Sequence, residues 1–149
     1  MFKTILIPTD LSPKAAMAIK KAVQLAGLFH AKIILLNVHE EFMDKKEMEM
    51  LRVNVGKIQA EFERTAILAK NEMKDILNSL HAEDIKVEYL LKEGKPSKVI
   101  CREAENLKAD LIVMGTNGRD SISDYILGST AAYVVEHVKI AVLVIPLSV

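Results

Sequence analysis

Five short apolar segments recur along this chain, and amphipathic stretches of helical character separate them. One segment, residues 32–39, holds four consecutive aliphatic residues, a run typical of a strand that is covered on both faces. The others span residues 2–8, 85–91, 110–114 and 140–145. Strands that alternate with helices favour parallel pairing, because each helix returns the chain to the same end of the sheet. The sequence therefore predicts an α/β fold: a single doubly wound domain over residues 1–149, with a five-stranded parallel sheet in the order 3-2-1-4-5 and helices on both faces.

Apolar residues at helical spacing fill the segments between these strands. Ser12 and Pro13 predict a helix start, because a hydroxyl caps the first N–H groups and proline suits the first helical position. This helix is expected to end close to Gly27. Apolar spacing over about residues 44–80 indicates one long amphipathic helix that lies on the sheet, with a coiled coil as the alternative. Shorter helices are predicted over residues 96–107 and 129–137.

The charge balance and the apolar runs exclude several kinds of partner. The chain carries 20 Lys+Arg and 20 Asp+Glu, a formal net charge of +0. Nucleic acids and anionic membrane surfaces attract clustered positive charge, so neither is an expected partner. The longest apolar run, residues 140–147, is far shorter than the ~20 residues that span a bilayer. Cys101 is the only cysteine, which excludes an internal disulfide and a thiolate metal cluster and fits a cytoplasmic protein.

Glycines follow the fourth predicted strand at a spacing suited to holding an anion. Gly115 and Gly118 come directly after that strand. Nine residues separate Gly118 from Gly128, which precedes Ser129 and Thr130 at a predicted helix start. Glycine lets the backbone approach a ligand closely, and the N–H groups at a helix start attract anions. The pattern predicts a phosphate-binding loop. The alternative is that the glycines only form turns and that the serine caps its helix.

Other nucleotide and metal motifs are missing from the sequence. Lys57 and Lys95 each follow a glycine, but Ile58 and Pro96 come next, where a P-loop needs serine or threonine. No G-x-G-x-x-G pattern follows a strand, so a dinucleotide cofactor has no support. The four histidines are widely spaced, and no two lie three or four residues apart as zinc ligands on one helix do.

Polar residues follow the first two predicted strands. Thr9 and Asp10 come after the first strand, and Asn37 to His39 end the second. In parallel sheets, ligands bind beyond the carboxyl ends of the strands, where the direction of winding reverses. The sequence therefore predicts that these residues and the glycine loop lie at one edge of the sheet and form one site.

Together, these motifs resemble the universal stress protein family, and specifically its ATP-binding branch. The resemblance extends over the whole chain, through the strand ends at residues 8–10 and 37–38, the glycine loop from residue 113, the helix start at residues 128–129 and the closing strand at residues 141–145. It implies a cytoplasmic protein that binds ATP, alone or with Mg²⁺, as a regulatory or stress-response module. It implies no catalytic residue and no metal held by the protein itself.

The resemblance also assigns contacts to individual residues. In this family the aspartate after the first strand and the backbone at the end of the second contact ribose and adenine, and the glycine loop holds the phosphates. The residues that the resemblance assigns to the site here are Pro8, Thr9, Asp10, Val38, Met114, Gly115, Gly118, Arg119, Gly128, Ser129 and Thr130. The loop departs from the usual pattern at Asn117. Its Asp120 and Asp124 would repel phosphate unless they face away or hold a metal ion, or unless Arg119 compensates.

Two other functions stay open on the sequence alone. The first is a slow Mg²⁺-dependent ATPase, in which the ion lies between the phosphates and Ser129 or Asp10. No residue is recognisable as the base for an attacking water, which favours binding over turnover. The second is a nucleotide-free dimerising module of the same fold, and the intact glycine pattern argues against it.

The last predicted strand indicates a homodimer. In the expected strand order it lies at the edge of the sheet, and residues 140–145 carry no charge. Unpaired N–H and C=O groups along such an edge favour pairing with a second copy about a two-fold axis, a mode that the family resemblance also implies. The alternative is a monomer whose edge is covered by a loop.

Overall fold

The computed structural model describes residues 1–40, 49–50, 55–116 and 127–146. The strands β1 to β5 span Thr4–Pro8, Lys32–His39, Val87–Glu93, Leu111–Gly115 and Ala141–Ile145. The helices α1 to α4 span Pro13–Phe29, Val55–Ser79, Pro96–Asn106 and Ser129–His137. Neighbouring strands pair in parallel in the order β3-β2-β1-β4-β5. The predicted α/β fold, strand order and parallel sheet are confirmed.

Helix α1 begins where the sequence predicts. The Ser12 hydroxyl oxygen accepts a hydrogen bond from the Ala15 N–H at 3.2 Å, and Pro13 occupies the first helical position. The helix runs two residues beyond Gly27 and ends at His30, which has a φ of 53°. A left-handed residue at this position is most often glycine, so no local pattern predicts that a histidine ends the helix.

Helix α2 lies on the sheet, as the apolar spacing predicts. Its Met73 and Leu77 are buried and belong to the same apolar cluster as the sheet residues. Around Met73 and Leu77, this packing supports the prediction of a helix on the sheet over the coiled-coil alternative. Residues 44–48 and 51–54 of the predicted long helix lie outside the described residues.

Strand β3 begins two residues later than the apolar pattern predicts. The pattern indicates residues 85–91, whereas the strand is Val87–Glu93. Ile85 lies in a turn, where its N–H donates to the Ala82 carbonyl at 3.1 Å. The first residue of β3 lies opposite Ile33 in β2, so the pairing between strands sets the start of β3.

The centre of the sheet is buried on both faces, and its side chains alternate between two apolar layers. The first layer contains Ile5, Ile7, Ile33, Leu35, Leu111 and Val113, covered by Ile19 of α1 and Met73 of α2. The second contains Leu6, Ile34, Leu36, Ile112 and Met114, covered by Ile100 of α3 and Val134 of α4. This two-sided burial is what the unbroken aliphatic run in β2 predicts. Within the described parts of the chain, no helix combines the length and apolarity that crossing a membrane requires.

The burial of β2 predicts a large stability difference between two isoleucine positions. Ile34 in the second layer is 1% exposed, whereas Ile67 on α2 is 62% exposed. Ile34→Ala should lower the free energy of unfolding by about 2–5 kcal/mol, because it leaves a cavity in a packed core. Ile67→Ala, the matched control, should change it by no more than about 0.5 kcal/mol. Urea denaturation of both variants measures the difference, and equal effects would contradict the described burial.

Candidate functional site

A cavity of about 890 Å³ opens at the carboxyl edge of the sheet. Its walls come from the ends of β1, β2 and β4, the starts of α1, α3 and α4, and one side of α2. This volume lies within the range of about 300–1,000 Å³ typical of small-molecule sites. The predicted contacts that line it are Pro8, Thr9, Asp10, Val38, Met114, Gly115, Gly128, Ser129 and Thr130. The other two, Gly118 and Arg119, lie outside the described residues, as do Asn117, Asp120 and Asp124.

The end of β1 is tied to β2 beyond the last strand residue. The Thr9 N–H donates to the Leu36 carbonyl at 2.8 Å. The Asn37 side-chain amide then donates to the Thr9 carbonyl at 3.0 Å. The N–H and the carbonyl of Thr9 therefore both have hydrogen-bond partners in β2, although the regular pairing of the two strands has ended.

The turn that follows β1 presents Asp10 to the cavity. The Ser12 N–H donates to Asp10 Oδ1 at 2.9 Å, and the Leu11 N–H donates to Thr9 Oγ1 at 3.1 Å. Leu11 itself has a φ of 63°, in the left-handed region that disfavours residues with a β-carbon. Side chains of the turn thus satisfy its own backbone and hold the chain in an uncommon conformation.

Helix α4 begins at the cavity with a glycine cap. Gly128 is the cap residue, and its N–H donates to the Thr116 carbonyl at 2.7 Å. Ser129 and Thr130 occupy the first helical positions, where N–H groups have no acceptor within the helix. No side chain caps this end, so the alternative that Ser129 caps its helix is wrong. The described start of α4 therefore offers backbone donors to the cavity.

The described walls of the cavity carry negative side chains. Asp10, Glu40 and Glu72 line it together with His39, and none of the described lining residues is lysine or arginine. The helix starts that line the cavity contribute partial positive charge instead, each helix dipole being equivalent to about half a positive charge at its start. Among the described residues there is no group of three or more His, Cys, Asp or Glu side chains suited to a metal ion.

One wall of the cavity was not among the predicted contacts. Thr65, Leu68, Ala69 and Glu72 of α2 line it, and their spacing of three and four residues places them along one side of the helix. This spacing is readable in the sequence, but it does not say which part of the sheet the helix covers. His39, also outside the predicted contacts, lines the cavity with its ring 5.5 Å from that of Phe62 in α2.

Comparison with known proteins matches nearly the whole chain. A family model described as the universal stress protein family matches residues 1–146. Universal stress protein MJ0577 of Methanocaldococcus jannaschii is 32% identical over 154 residues, which cover 97% of this chain and 95% of that protein. Its sequence similarity therefore extends across all five strands and the candidate site.

Solved structures match at the level of the fold as well. The structure of MJ0577 has a TM-score of 0.78 at 29% identity and covers 97% of this chain and 96% of its own. UspA from Lactobacillus plantarum has a TM-score of 0.80 at 26% identity, covering 97% of both chains. A universal stress protein in complex with cAMP has a TM-score of 0.67 at 25% identity, covering 99% of this chain and 98% of its own.

Cys101 on α3 packs beside the site without lining the cavity. It is partly buried against the second apolar layer and follows Ile100, which does line the cavity. Burial raises the pKa of the Cys101 thiol, and the nearby negative charge of Glu105 raises it further. Both causes favour the protonated thiol, which is the less nucleophilic form.

The raised pKa predicts slow alkylation of Cys101. At pH 8 the folded protein should react with iodoacetamide more slowly than the same protein in urea, because less thiolate is present. Glu105→Gln should speed the reaction of the folded protein, since it removes one of the two causes of the shift. Glu83→Gln, at an exposed position, is the control. Mass spectrometry at timed intervals measures the rates, and equal rates in folded and unfolded protein would contradict the assignment.

Proposed function

Since this chain belongs to the universal stress protein family, we propose that it binds ATP, accompanied by Mg²⁺, as a cytoplasmic regulatory or stress-response module. The strongest support is that three features meet in one cavity: the Asp10 turn, the end of β2 and the uncapped start of α4. A family member 25% identical to this chain has been solved with cAMP, an adenine nucleotide. Binding itself, and not turnover, is the proposed activity.

The nucleoside is proposed to lie beyond the carboxyl ends of β1 and β2. The carboxylate of Asp10 lines the cavity and would accept hydrogen bonds from ribose hydroxyls, since an ionised carboxylate is an acceptor only. The backbone of Val38 would contact the adenine edge. Apolar side chains that line the cavity, among them Leu68 and Met114, supply surface for the faces of the base.

The phosphates are proposed to lie against the start of α4. Its first N–H groups lack acceptors within the helix, and their partial positive charge attracts anions. By sequence pattern, Gly118 and Arg119 belong to the same phosphate-binding set. Because Asp10, Glu40 and Glu72 also line the cavity, Mg²⁺ bound to the phosphates would lower the repulsion between ligand and protein.

Ser129→Pro tests the phosphate position, because it removes one backbone donor while the helix is kept. Proline is favoured at the first helical position, and α1 and α3 already begin with it. Gly128 has φ −64° and ψ 160°, a conformation that suits a residue before proline. Loss of a hydrogen bond to a charged phosphate should raise the Kd for ATP-Mg by about tenfold or more in calorimetry.

Ser129→Ala is the matched control for this experiment, because it keeps the N–H and removes only the hydroxyl. We expect its Kd to rise less than that of Ser129→Pro. An unchanged Kd in a folded Ser129→Pro variant would contradict the phosphate position. Absence of any ATP binding by the unaltered protein would contradict the proposed function as a whole.

We extend the proposal to a homodimer formed through β5. This strand lies at the edge of the described sheet. Its Leu143 is 38% exposed, although it lies on the face of the sheet where α1 covers the more central strands. An uncharged edge strand with exposed apolar side chains is prone to pair with another strand. Pairing of β5 with β5 of a second copy would give the unpaired N–H and C=O groups of this edge hydrogen-bond partners. It would also cover Leu143 in both chains.

A lysine in β5 should separate the proposed dimer. Light scattering on a sizing column should give the unaltered protein a mass close to twice the 16.6 kDa of one chain. Leu143→Lys should give the mass of one chain, because it places a charge in the proposed interface. Leu28→Lys is the control, since Leu28 is 76% exposed on α1. A monomeric unaltered protein, or a dimer that survives Leu143→Lys, would refute this interface.

A further inference from the structure

We infer that Asn37 is a positioning residue of the proposed nucleotide site: its side-chain amide holds the peptide group from which Asp10 extends, and so sets where the carboxylate meets the ribose. This inference rests on the proposed function and adds to it a role for a residue to which the family resemblance assigns no contact. Asn37 lines the cavity, is partly buried and follows Leu36 near the end of β2.

The hydrogen bond from Asn37 takes the place of a missing rung of the sheet. Pairing of β1 with β2 ends at Pro8, which lies opposite Leu36, and the Thr9 N–H then makes one more backbone bond to β2. The next acceptor along β1 is the Thr9 carbonyl, and it takes its hydrogen bond at 3.0 Å from Asn37 Nδ2. A carbonyl oxygen only accepts, so the amide nitrogen is the atom of Asn37 that must face it.

The contact acts on Asp10 through the planarity of the peptide bond. The Thr9 carbonyl and the Asp10 N–H belong to one planar group, so a fixed carbonyl oxygen fixes the plane from which the Asp10 side chain departs. On the other side of Asp10, Leu11 has a φ of 63°, a conformation that the chain does not adopt readily without support. The bond from the Ser12 N–H to Asp10 Oδ1 at 2.9 Å then fixes the rotation of the carboxylate.

A positioning role differs from a purely structural one in what it does to ligand preference. If Asn37 only stabilised the fold, its loss would weaken the binding of every nucleotide in the same proportion. If it positions Asp10, its loss removes mainly the contribution of the ribose hydroxyls, because these are the groups that Asp10 is proposed to bind. The preference for ATP over 2′,3′-dideoxy-ATP therefore separates the two roles.

The experiment measures the Kd of ATP-Mg and of 2′,3′-dideoxy-ATP-Mg by calorimetry in the full-length chain. We expect the unaltered protein to prefer ATP by about tenfold or more. In Asn37→Ala and Asn37→Asp this preference should fall to about twofold or less, since neither side chain donates to the Thr9 carbonyl. Both ligands carry the same phosphates, so the charge that Asn37→Asp adds cancels in the ratio of the two Kd values.

Asn78→Ala and Asn78→Asp are the matched controls, because Asn78 is exposed at the end of α2, away from the cavity. Both control variants should keep the preference for ATP over 2′,3′-dideoxy-ATP that the unaltered protein shows. A preference retained in either folded Asn37 variant would overturn the inference and leave the proposed function intact. An unaltered protein that binds both ligands equally would overturn the inference and the proposed contact between Asp10 and the ribose, while ATP binding itself would stand. An unaltered protein that binds neither ligand would refute the proposed function, and the inference with it.

Discussion

Burial of the central strands on both faces is the constraint on which the rest of the structure depends. Side chains of β1 and β2 alternate between two apolar layers, and helices must cover both. Each crossing helix returns the chain to the same end of the sheet, so all pairings are parallel. The carboxyl ends of the strands and the starts of the helices therefore meet at one edge, and the cavity opens there.

The helix starts at this edge are not equivalent. α1 and α3 have proline at the first helical position, which removes an N–H, and Ser12 also caps α1. α4 has a glycine cap and Ser129 in that position, so its first N–H groups stay available. Serine in place of proline at this position thus gives α4 one more backbone donor at the cavity than α1 or α3 has at its own first helical position.

Much of this arrangement is predictable from the sequence, for physical reasons that also explain the exceptions. The aliphatic run in β2 and the Ser12-Pro13 cap are local signals, and both identified their elements. Strand ends in a parallel sheet share an edge, so Thr9, Asp10 and Val38 were predicted to line one site. The α2 wall and the bond from Asn37 depend on how distant segments pack, and no local pattern encodes that.

The two sides of the cavity differ in how far the protein satisfies its own polar groups. On the β1 side, the side chains of Thr9, Asp10 and Asn37 already bond to backbone groups, which makes this side rigid before any ligand arrives. On the α4 side, the described first-turn N–H groups have no partner within the helix. A ligand oxygen at hydrogen-bonding distance would supply the acceptor that these groups lack. The β1 side is thus suited to selecting the shape of a ligand, and the α4 side to gaining free energy when an anionic group binds.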